Sequence, residues 1–241
     1  MATAPAQKAP EILNEAEVER FARDGFVGPF PFLSRAEVAR HRRAIEDEVL
    51  TGDDLTNRHL DNDSVRALCT NSQIVARARH LLGPPIKLWM STFFVKEPGA
   101  LGIPWHQDAA YWHLDPMITV SAWMALDDAT IENSCLHLIP GSQGELKPTI
   151  REAGWAFKKM VDPQYVDAAK AQPMEVEAGS FFLFTDRVMH YSAPNRSAQR
   201  RMGLTARFTP ASVQVHYDRF NIFRDKPDKQ RAILLDEAGH A

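Results

Sequence analysis

A change in sequence pattern at about Lys87 constrains the fold of this 241-residue chain more than any other feature. From there on, short segments rich in β-branched and aromatic residues alternate with turn signals such as Glu97-Pro98-Gly99. Many short strands in one region favour a sandwich or barrel. The predicted strands are Leu88 to Lys96, Ile118 to Ala125, Cys135 to Ile139, Ser180 to Phe184 and Met202 to Thr209.

The residues before this point carry helix signals. Asn14 followed by Glu17, and Ser34 followed by Glu37, match the capping box, in which each side chain bonds to a free amide of the first turn. Gly25 tolerates the left-handed conformation, so we expect it to end the first helix. These signals predict a helical layer over about residues 13–85, preceded by a disordered leader over residues 1–12.

A long segment, about residues 143–173, interrupts the strand-rich region with helix-like or irregular chain. An insertion of this length is typical of a functional lid or a disordered loop, and we expect a lid. The predicted fold is therefore α+β and mainly β, with a core over about residues 86–215. Because no linker or repeat divides the chain, residues 13–241 are predicted to form a single domain.

Composition excludes several classes of partner. The formal net charge of -3 gives no reason to expect nucleic acid or an anionic membrane surface. No apolar run approaches the roughly 20 residues that a membrane-spanning helix needs. The two cysteines, Cys69 and Cys135, are expected to be buried, reduced thiols in a cytoplasmic protein. The sequence does not indicate an oligomeric state.

Three His-x-Asp triplets begin at His59, His106 and His113. On a strand, residues i and i+2 point to the same face, so such a triplet can present an imidazole and a carboxylate to one metal. A second histidine from elsewhere completes a triad that leaves positions open on octahedral iron(II). His59 lies in a polar run typical of a loop or helix cap, and Asp115 precedes a proline at a predicted turn. We therefore favour His106 and Asp108, at a predicted strand start.

The candidate for the third ligand is His190, although a lone histidine is more often a hydrogen-bonded core residue. From Arg201 to Phe208, odd positions are polar or small and even positions are apolar, so one face suits a ligand-lined interior. By this phase Arg201 points inward and Arg200 does not, while Arg207 shares the phase further along. A buried arginine needs an anion, and a dicarboxylate that chelates iron at its other end supplies one.

Three separated blocks of the chain form a more specific pattern. The first is Phe21-Ala22-Arg23-Asp24-Gly25-Phe26-Val27, the second runs from Pro104 to Ser142 around Trp105-His106-Gln107-Asp108, and the third is Gly179 to Arg201 with His190-x-Ser192-x-x-Asn195. Together they resemble the phytanoyl-CoA dioxygenase family, part of the double-stranded β-helix oxygenases, over about Leu13 to Thr209. The resemblance implies a jelly-roll, cupin-like core and a dioxygenase that uses iron(II), 2-oxoglutarate and O2.

The resemblance also implies roles for individual residues. It implies three iron ligands, which are His106, Asp108 and His190. It implies that Arg201 clamps the cosubstrate 2-oxoglutarate. It places four further residues near the cosubstrate, the last less directly, and these are Ser192, Gln107, Trp123 and Thr92.

Two positions are compared with the usual pattern of the family. Ser134 stands where the family usually has glycine after Glu-Asn, so we expect that turn to differ slightly without losing a chemical group. Asp108 keeps the carboxylate that halogenating relatives replace by a small residue. The resemblance therefore implies a hydroxylase rather than a halogenase, oxidising an unactivated C–H bond and releasing succinate and CO2.

Two other functions share parts of this pattern. A zinc or manganese hydrolase can use the same three ligands, but it has no need of the inward Arg201. A non-catalytic small-molecule-binding protein has no need of all four residues. The substrate is expected to be a small polar metabolite such as an amino acid, a phosphonate or a natural-product intermediate. An anionic one is favoured by basic and aromatic residues in the predicted lid, namely Arg151, Trp155, Phe157, Lys158 and Lys159.

Overall fold

The computed structural model describes residues 12–52, 54–151 and 159–235. The predicted leader lies outside the described residues except for Ile12, which is exposed. Within the described part of the chain, no helix is both long and apolar enough to cross a membrane. Cys69 and Cys135 are free and buried, as predicted.

Four α-helices form the N-terminal layer. Asn14 and Ser34 each close a capping box with the glutamate three residues on, and Gly25 ends the first helix in the left-handed conformation with its N–H bonded to the Phe21 carbonyl. The predicted helix signals are therefore confirmed at both ends of the first helix. The helices are α1 Glu15–Asp24, α2 Arg35–Glu48, α3 Asp63–Cys69 and α4 Ser72–Leu82.

Fourteen strands are present in the described residues, and two antiparallel sheets form the core. The larger sheet has the order β1-β10-β5-β12-β2-β14, and the smaller has the order β3-β11-β6-β9. This is the mainly β, jelly-roll architecture that the sequence predicted. The strands are β1 Phe26–Pro31, β2 Ile86–Lys96, β3 Ile103–His106, β4 Leu114–Asp115, β5 Val120–Ala125, β6 Leu136–Leu138, β7 Thr149–Arg151, β8 Lys159–Val161, β9 Gln172–Met174, β10 Ser180–Thr185, β11 His190–Ser192, β12 Arg201–Pro210, β13 Gln214–Val215 and β14 Ile233–Leu235.

Two strands of the larger sheet lie outside the predicted core. β1 falls inside the predicted helical layer, where Phe26 pairs with Phe184 of β10. β14 lies beyond the predicted end of the core, where Leu235 pairs with Ile86 of β2. Both strands are short and sit at the two edges of the sheet, so their pairing is decided by distant partners rather than by local pattern.

Alternation along the strands separates two layers of apolar side chains. In β10, Phe181 and Leu183 pack with the helical layer, whereas Phe182 and Phe184 pack towards the smaller sheet. The even positions of β12 also pack with the helices; these are Met202, Leu204, Ala206 and Phe208. The odd positions of β12 therefore face the space between the sheets, as the sequence phase predicted.

The predicted lid contains more β structure than expected. β7 and β8 form a two-stranded antiparallel ribbon, and β9 joins the smaller sheet beside β6. Short 3-10 turns lie at Ser142–Gly144, Pro163–Tyr165 and Ala168–Lys170. Of the basic and aromatic lid residues, Trp155, Phe157 and Lys158 lie outside the described residues.

Candidate active site

Three side chains converge between the sheets in a group that could hold a metal ion. His106 of β3 and His190 of β11 are register partners, so their rings lie side by side with centroids 4.1 Å apart. Asp108 Oδ1 lies 3.5 Å from His106 Nε2 and 4.0 Å from His190 Nε2. All three residues are buried, and their ligand atoms lie within 4.8 Å of one another.

The backbone around His106 and Asp108 differs from the prediction, but both side chains still point to the same face. His106 ends β3 rather than starting a strand, and Asp108 opens a 3-10 turn over Asp108–Ala110. Gln107 between them is extended, with φ -120° and ψ 122°. Alternation therefore continues past the end of the strand, and both ligands keep the same face.

Backbone carbonyls fix the orientation of both imidazoles. His106 Nδ1 lies 2.8 Å from the Pro104 carbonyl oxygen, and His190 Nδ1 lies 3.0 Å from that of Val188. A carbonyl only accepts, so each Nδ1 carries the proton and each Nε2 presents its lone pair to the shared space. Burial, helped by the neighbouring His106, lowers the pKa of His190 to about 4, which keeps this ring neutral and able to ligate at pH 7.

Asp108 is held in its charged form. Burial alone would raise its pKa, but the close approach of His106 and the charge of Arg207 outweigh burial and hold the pKa of this carboxyl well below its usual range. Arg207 Nη2 lies 3.5 Å from Asp108 Oδ2. The group therefore offers two imidazole nitrogens and one carboxylate, the donor set of an open iron(II) site.

Arg201 lies in the same cavity with most of its donors free. The side chain is fully buried, and its guanidinium carbon lies 5.3 Å from the ring centroid of Trp123. One nitrogen reaches the Phe94 carbonyl at 3.5 Å, whereas Nε and Nη2 have no hydrogen-bond partner among the described residues. Burial lowers the pKa of Arg201 to about 10, so it remains charged at pH 7. A buried cation with free donors fits a carboxylate ligand.

Arg200 points to the opposite side of the strand. Its guanidinium pairs with Asp127 at 2.9 Å and with Glu46 of α2 at 2.6 Å. The two adjacent arginines thus separate as the alternation predicted, one towards the cavity and one towards the helical layer.

Lys96 is a site residue that the sequence reasoning missed. It pairs with Arg201 across the β2–β12 ladder, and its Nζ lies 2.8 Å from both Ser192 Oγ and Ser134 Oγ. Burial, together with the charge of Arg201, lowers the pKa of Lys96 to about 7. The available signal was its position: as the last residue of β2 it shares the inward phase of Thr92. Lys96 places a second cationic group next to the predicted cosubstrate residues.

Ser134 keeps the backbone conformation that a glycine would favour. Its φ is 81°, and its hydroxyl binds the Ala193 carbonyl as well as accepting from Lys96. The expected difference in this turn is therefore a hydrogen bond gained by the side chain.

Ser192 and Trp123 line the cavity, whereas Gln107 and Thr92 are not among its lining residues. Gln107 Nε2 donates to the carbonyls of Arg187 (2.6 Å) and Glu145 (3.0 Å). Its side chain thus ties the start of the lid to the chain before His190. Thr92 Oγ1 lies 3.2 Å from Arg207 Nη1 and is a neighbour of Arg207 rather than of Arg201.

The other two His-x-Asp triplets take no part in this group. His59 is fully buried, with Nδ1 2.7 Å from Ser91 Oγ, and its place is a 3-10 turn over Arg58–Leu60. His113 is exposed and its ring packs edge-on against Phe220 at 5.2 Å. Neither belongs to the metal-type group found among the described residues.

A cavity lies between the two sheets at this point. Both sheets contribute to its wall, with Phe94, Trp123 and Thr205 from the larger sheet and Ile103, Leu136 and Tyr191 from the smaller one. The three ligands, Arg201 and Arg207 line the same space. The residues present therefore fit a divalent iron together with a carboxylate-bearing cosubstrate. The antiparallel double sheet and this donor set define the class of iron(II)- and 2-oxoglutarate-dependent oxygenases.

Comparison with known proteins gives the family. The family model of phytanoyl-CoA dioxygenase (PhyH) matches residues 21–203, and the chain belongs to this family. A solved structure described as CytC3 with Fe(II) and alpha-ketoglutarate superposes with a TM-score of 0.67 at 29% identity, covering 86% of this chain and 81% of that one.

Three curated proteins are similar to this chain. L-proline trans-4-hydroxylase of Streptomyces griseoviridis is 33% identical, with 78% of this chain and 83% of the relative covered. Methylphosphonate hydroxylase of Gimesia maris is 27% identical, with 80% and 79% covered. Phytanoyl-CoA dioxygenase domain-containing protein 1 homolog of Dictyostelium discoideum is 32% identical over 48% of this chain. The chain spans only 43% of that relative's length.

Proposed function

We propose that this protein hydroxylates an unactivated C–H bond of a small polar metabolite and consumes 2-oxoglutarate as cosubstrate. The observation that carries the proposal is one buried cavity that contains both the His106–Asp108–His190 group and the Arg201 guanidinium with free donors. A metal-binding triad needs no such arginine, and an arginine clamp needs no triad. A ligand that chelates the metal at one end and carries a carboxylate at the other uses both.

His106, Asp108 and His190 would hold iron(II), and Arg201 would bind the distal carboxylate of 2-oxoglutarate. When bound, the iron and 2-oxoglutarate would supply the oxidising chemistry, in which the substrate, 2-oxoglutarate and O2 give the hydroxylated product, succinate and CO2. The carbonyls of Pro104 and Val188 keep both imidazole Nε2 atoms aimed at the metal position. The buried wall excludes water from the reacting groups.

Two further groups support binding of the cosubstrate. Ser192 lines the cavity with Arg201, and because its Oγ accepts from the Lys96 ammonium, its own O–H is left to donate to the same carboxylate. Trp123 lies against the Arg201 guanidinium and adds a buried indole N–H without a partner among the described residues. Three kinds of donor, a guanidinium, a hydroxyl and an indole, thus surround one anion position, and we include Lys96 in the proposed site as the residue that positions Ser192.

Hydroxylation is favoured over halogenation because Asp108 is present, buried and charged. Its carboxylate occupies the ligand position that a halide would need. The relatives named as L-proline trans-4-hydroxylase and methylphosphonate hydroxylase support the same reaction. They also support a substrate such as an amino acid or a phosphonate.

The proposal is tested by anaerobic titration of the metal-free protein with iron(II) and 2-oxoglutarate. We expect a visible charge-transfer band to appear only when both are present. Addition of a metabolite panel followed by air should then release succinate, measured by mass spectrometry. A protein that forms no band and no succinate, yet hydrolyses an ester or phosphate when loaded with zinc, would instead be a hydrolase.

A further inference from the structure

A second buried arginine, Arg207, enters the cavity at the end of β12 opposite to Arg201. The two residues lie six positions apart on the same strand and the same face, which is about 20 Å of backbone. Arg201 pairs with Lys96 in the β2–β12 ladder, whereas Arg207 pairs with Met90. The cosubstrate clamp and Arg207 therefore serve different ends of the cavity.

Arg207 has few strong hydrogen-bond partners for a buried guanidinium. Its side chain is 3% exposed, yet its ion pair with Asp108 is 3.5 Å long and involves one oxygen. Charge-assisted hydrogen bonds of this kind are normally about 2.7–2.9 Å. A second nitrogen reaches the neutral Thr92 hydroxyl at 3.2 Å, and Nε has no partner among the described residues. Asp108 is also the proposed metal ligand, so its charge is shared.

The charges around the cavity are unequal. When both histidines act as metal ligands, the lining side chains among the described residues include one carboxylate, Asp108, and two guanidinium groups. Iron(II) and the 2-oxoglutarate dianion cancel each other, so one positive charge remains in the filled cavity. Lys96 adds to this excess when protonated.

The face of the Arg207 guanidinium is already occupied. Its carbon lies 4.9 Å from the ring centroid of Trp112, a half-buried residue that belongs to the aromatic cluster around Trp89 and Phe220. A guanidinium stacked on an indole keeps its N–H edge available, and that edge matches a carboxylate or phosphonate. The aromatic cluster offers the adjoining wall to the rest of such a ligand.

We propose that Arg207 binds the anionic head group, a carboxylate or phosphonate, of the substrate to be oxidised. This inference rests on the proposed function, because it assigns the second ligand of the same cavity. The substrate would then be held at its anionic end beside Asp108, with a C–H bond directed to the metal position. A role limited to orienting Asp108 is the alternative that the experiment must separate.

The experiment uses pairs of probes in which a neutral amide or ester replaces the anionic group. L-proline is compared with L-prolinamide, and methylphosphonate with dimethyl methylphosphonate. Each is added to the anaerobic protein loaded with iron(II) and 2-oxoglutarate, and its apparent Kd is taken from the change in the visible band. In the wild type we expect the anionic member of at least one pair to perturb the band and its neutral partner to have little effect.

Three variants locate the effect. R207Q should raise the apparent Kd of the anionic probe about 30-fold or more, because a buried charged contact is lost. The titration midpoints for binding of iron(II) and 2-oxoglutarate should change by less than about threefold. R207K keeps the charge without the fork and should retain part of the preference. R200Q, the outward arginine of the same chain segment, should behave as the wild type. A thermal unfolding midpoint for each variant checks that the buried position still folds.

Several outcomes would overturn the inference. It fails if no anionic probe perturbs the wild-type band, or if R207Q keeps the wild-type preference for anions. It also fails if R207Q loses iron(II) affinity and leaves the anion preference unchanged, since Arg207 would then only orient Asp108. If the wild type forms no band with iron(II) and 2-oxoglutarate, the proposed function itself fails, which is a different result.

Discussion

Gly203 leaves space that the indole ring of Trp123 fills. A Cβ added at Gly203 would lie 2.3 Å from Trp123 Cζ2 and 2.6 Å from Cε2. Trp123 is 1% exposed and its ring lies against the guanidinium of Arg201. The absence of a side chain at one position of β12 therefore lets the ring pack next to the proposed cosubstrate clamp.

Gly203→Ala should disturb both packing and cosubstrate binding. Because Trp123 is enclosed, the added methyl must displace the ring, and overpacking of this kind costs about 1–3 kcal/mol. The free energy of unfolding, measured in urea, should fall, and the KM for 2-oxoglutarate should rise. Gly52→Ala is the control, since a Cβ there meets no atom within 4 Å. An unchanged urea midpoint for Gly203→Ala would contradict this account of the site.

Alanine at His106, Asp108 or His190 should abolish succinate formation and leave the fold largely intact. An open metal site contributes little to a β core that is already packed, unlike a closed structural zinc site. Iron(II) affinity is measured by anaerobic titration and folding by circular dichroism. Near-normal turnover in any of the three variants would remove that residue from the ligand set.

Two other histidines provide controls for the metal ligands. His113→Ala should bind iron(II) normally and keep its stability, because the side chain is exposed. His59→Ala should also bind iron(II), but it should be less stable, since it leaves the buried Ser91 hydroxyl without its 2.7 Å partner. Loss of iron binding in either variant would mean that the wrong His-x-Asp triplet was chosen.

Arg201→Ala should raise the KM for 2-oxoglutarate by about 30-fold or more, because a two-pronged contact to a buried carboxylate is worth roughly 2–5 kcal/mol. Arg200→Ala should change this KM little, since its guanidinium pairs with Asp127 and Glu46. Steady-state succinate assays at varied 2-oxoglutarate give both values. Reversed phenotypes would place the clamp on the other face of β12.

The buried neutral His59 should make stability depend on pH. Burial lowers its pKa to about 3, below the ordinary value near 6.5 of the unfolded chain. The unfolded state therefore binds the proton more readily, so stability is full above about pH 6.5 and falls as the pH drops towards 3. Urea midpoints at pH 7.5 and 4.5 should show a smaller drop for His59→Gln than for the wild type. Equal drops would mean that His59 does not titrate in this window.

Local pattern was enough to predict much of the scaffold and of the candidate site. The capping boxes at Asn14 and Ser34 and the left-handed Gly25 depend on residues within one helical turn. The separation of Arg200 from Arg201 depends only on the alternation of one strand. For these features the physical cause lies within a few residues, so the sequence contains it.

Long-range pairing decided what the sequence alone could not. The edge strands β1 and β14 form only by pairing with β10 and β2, which lie far away in the sequence. Lys96 lies beside Arg201 because its strand pairs with β12. Gln107 contacts the lid because carbonyl oxygens there lie within reach of its amide. Arg207 shared the inward phase of Arg201, but only the packed sheets placed it against Asp108 and Trp112. The sequence determined which side chains alternate and which chemistry they carry, whereas the tertiary structure decided which of them meet, because those contacts join strands far apart in the chain.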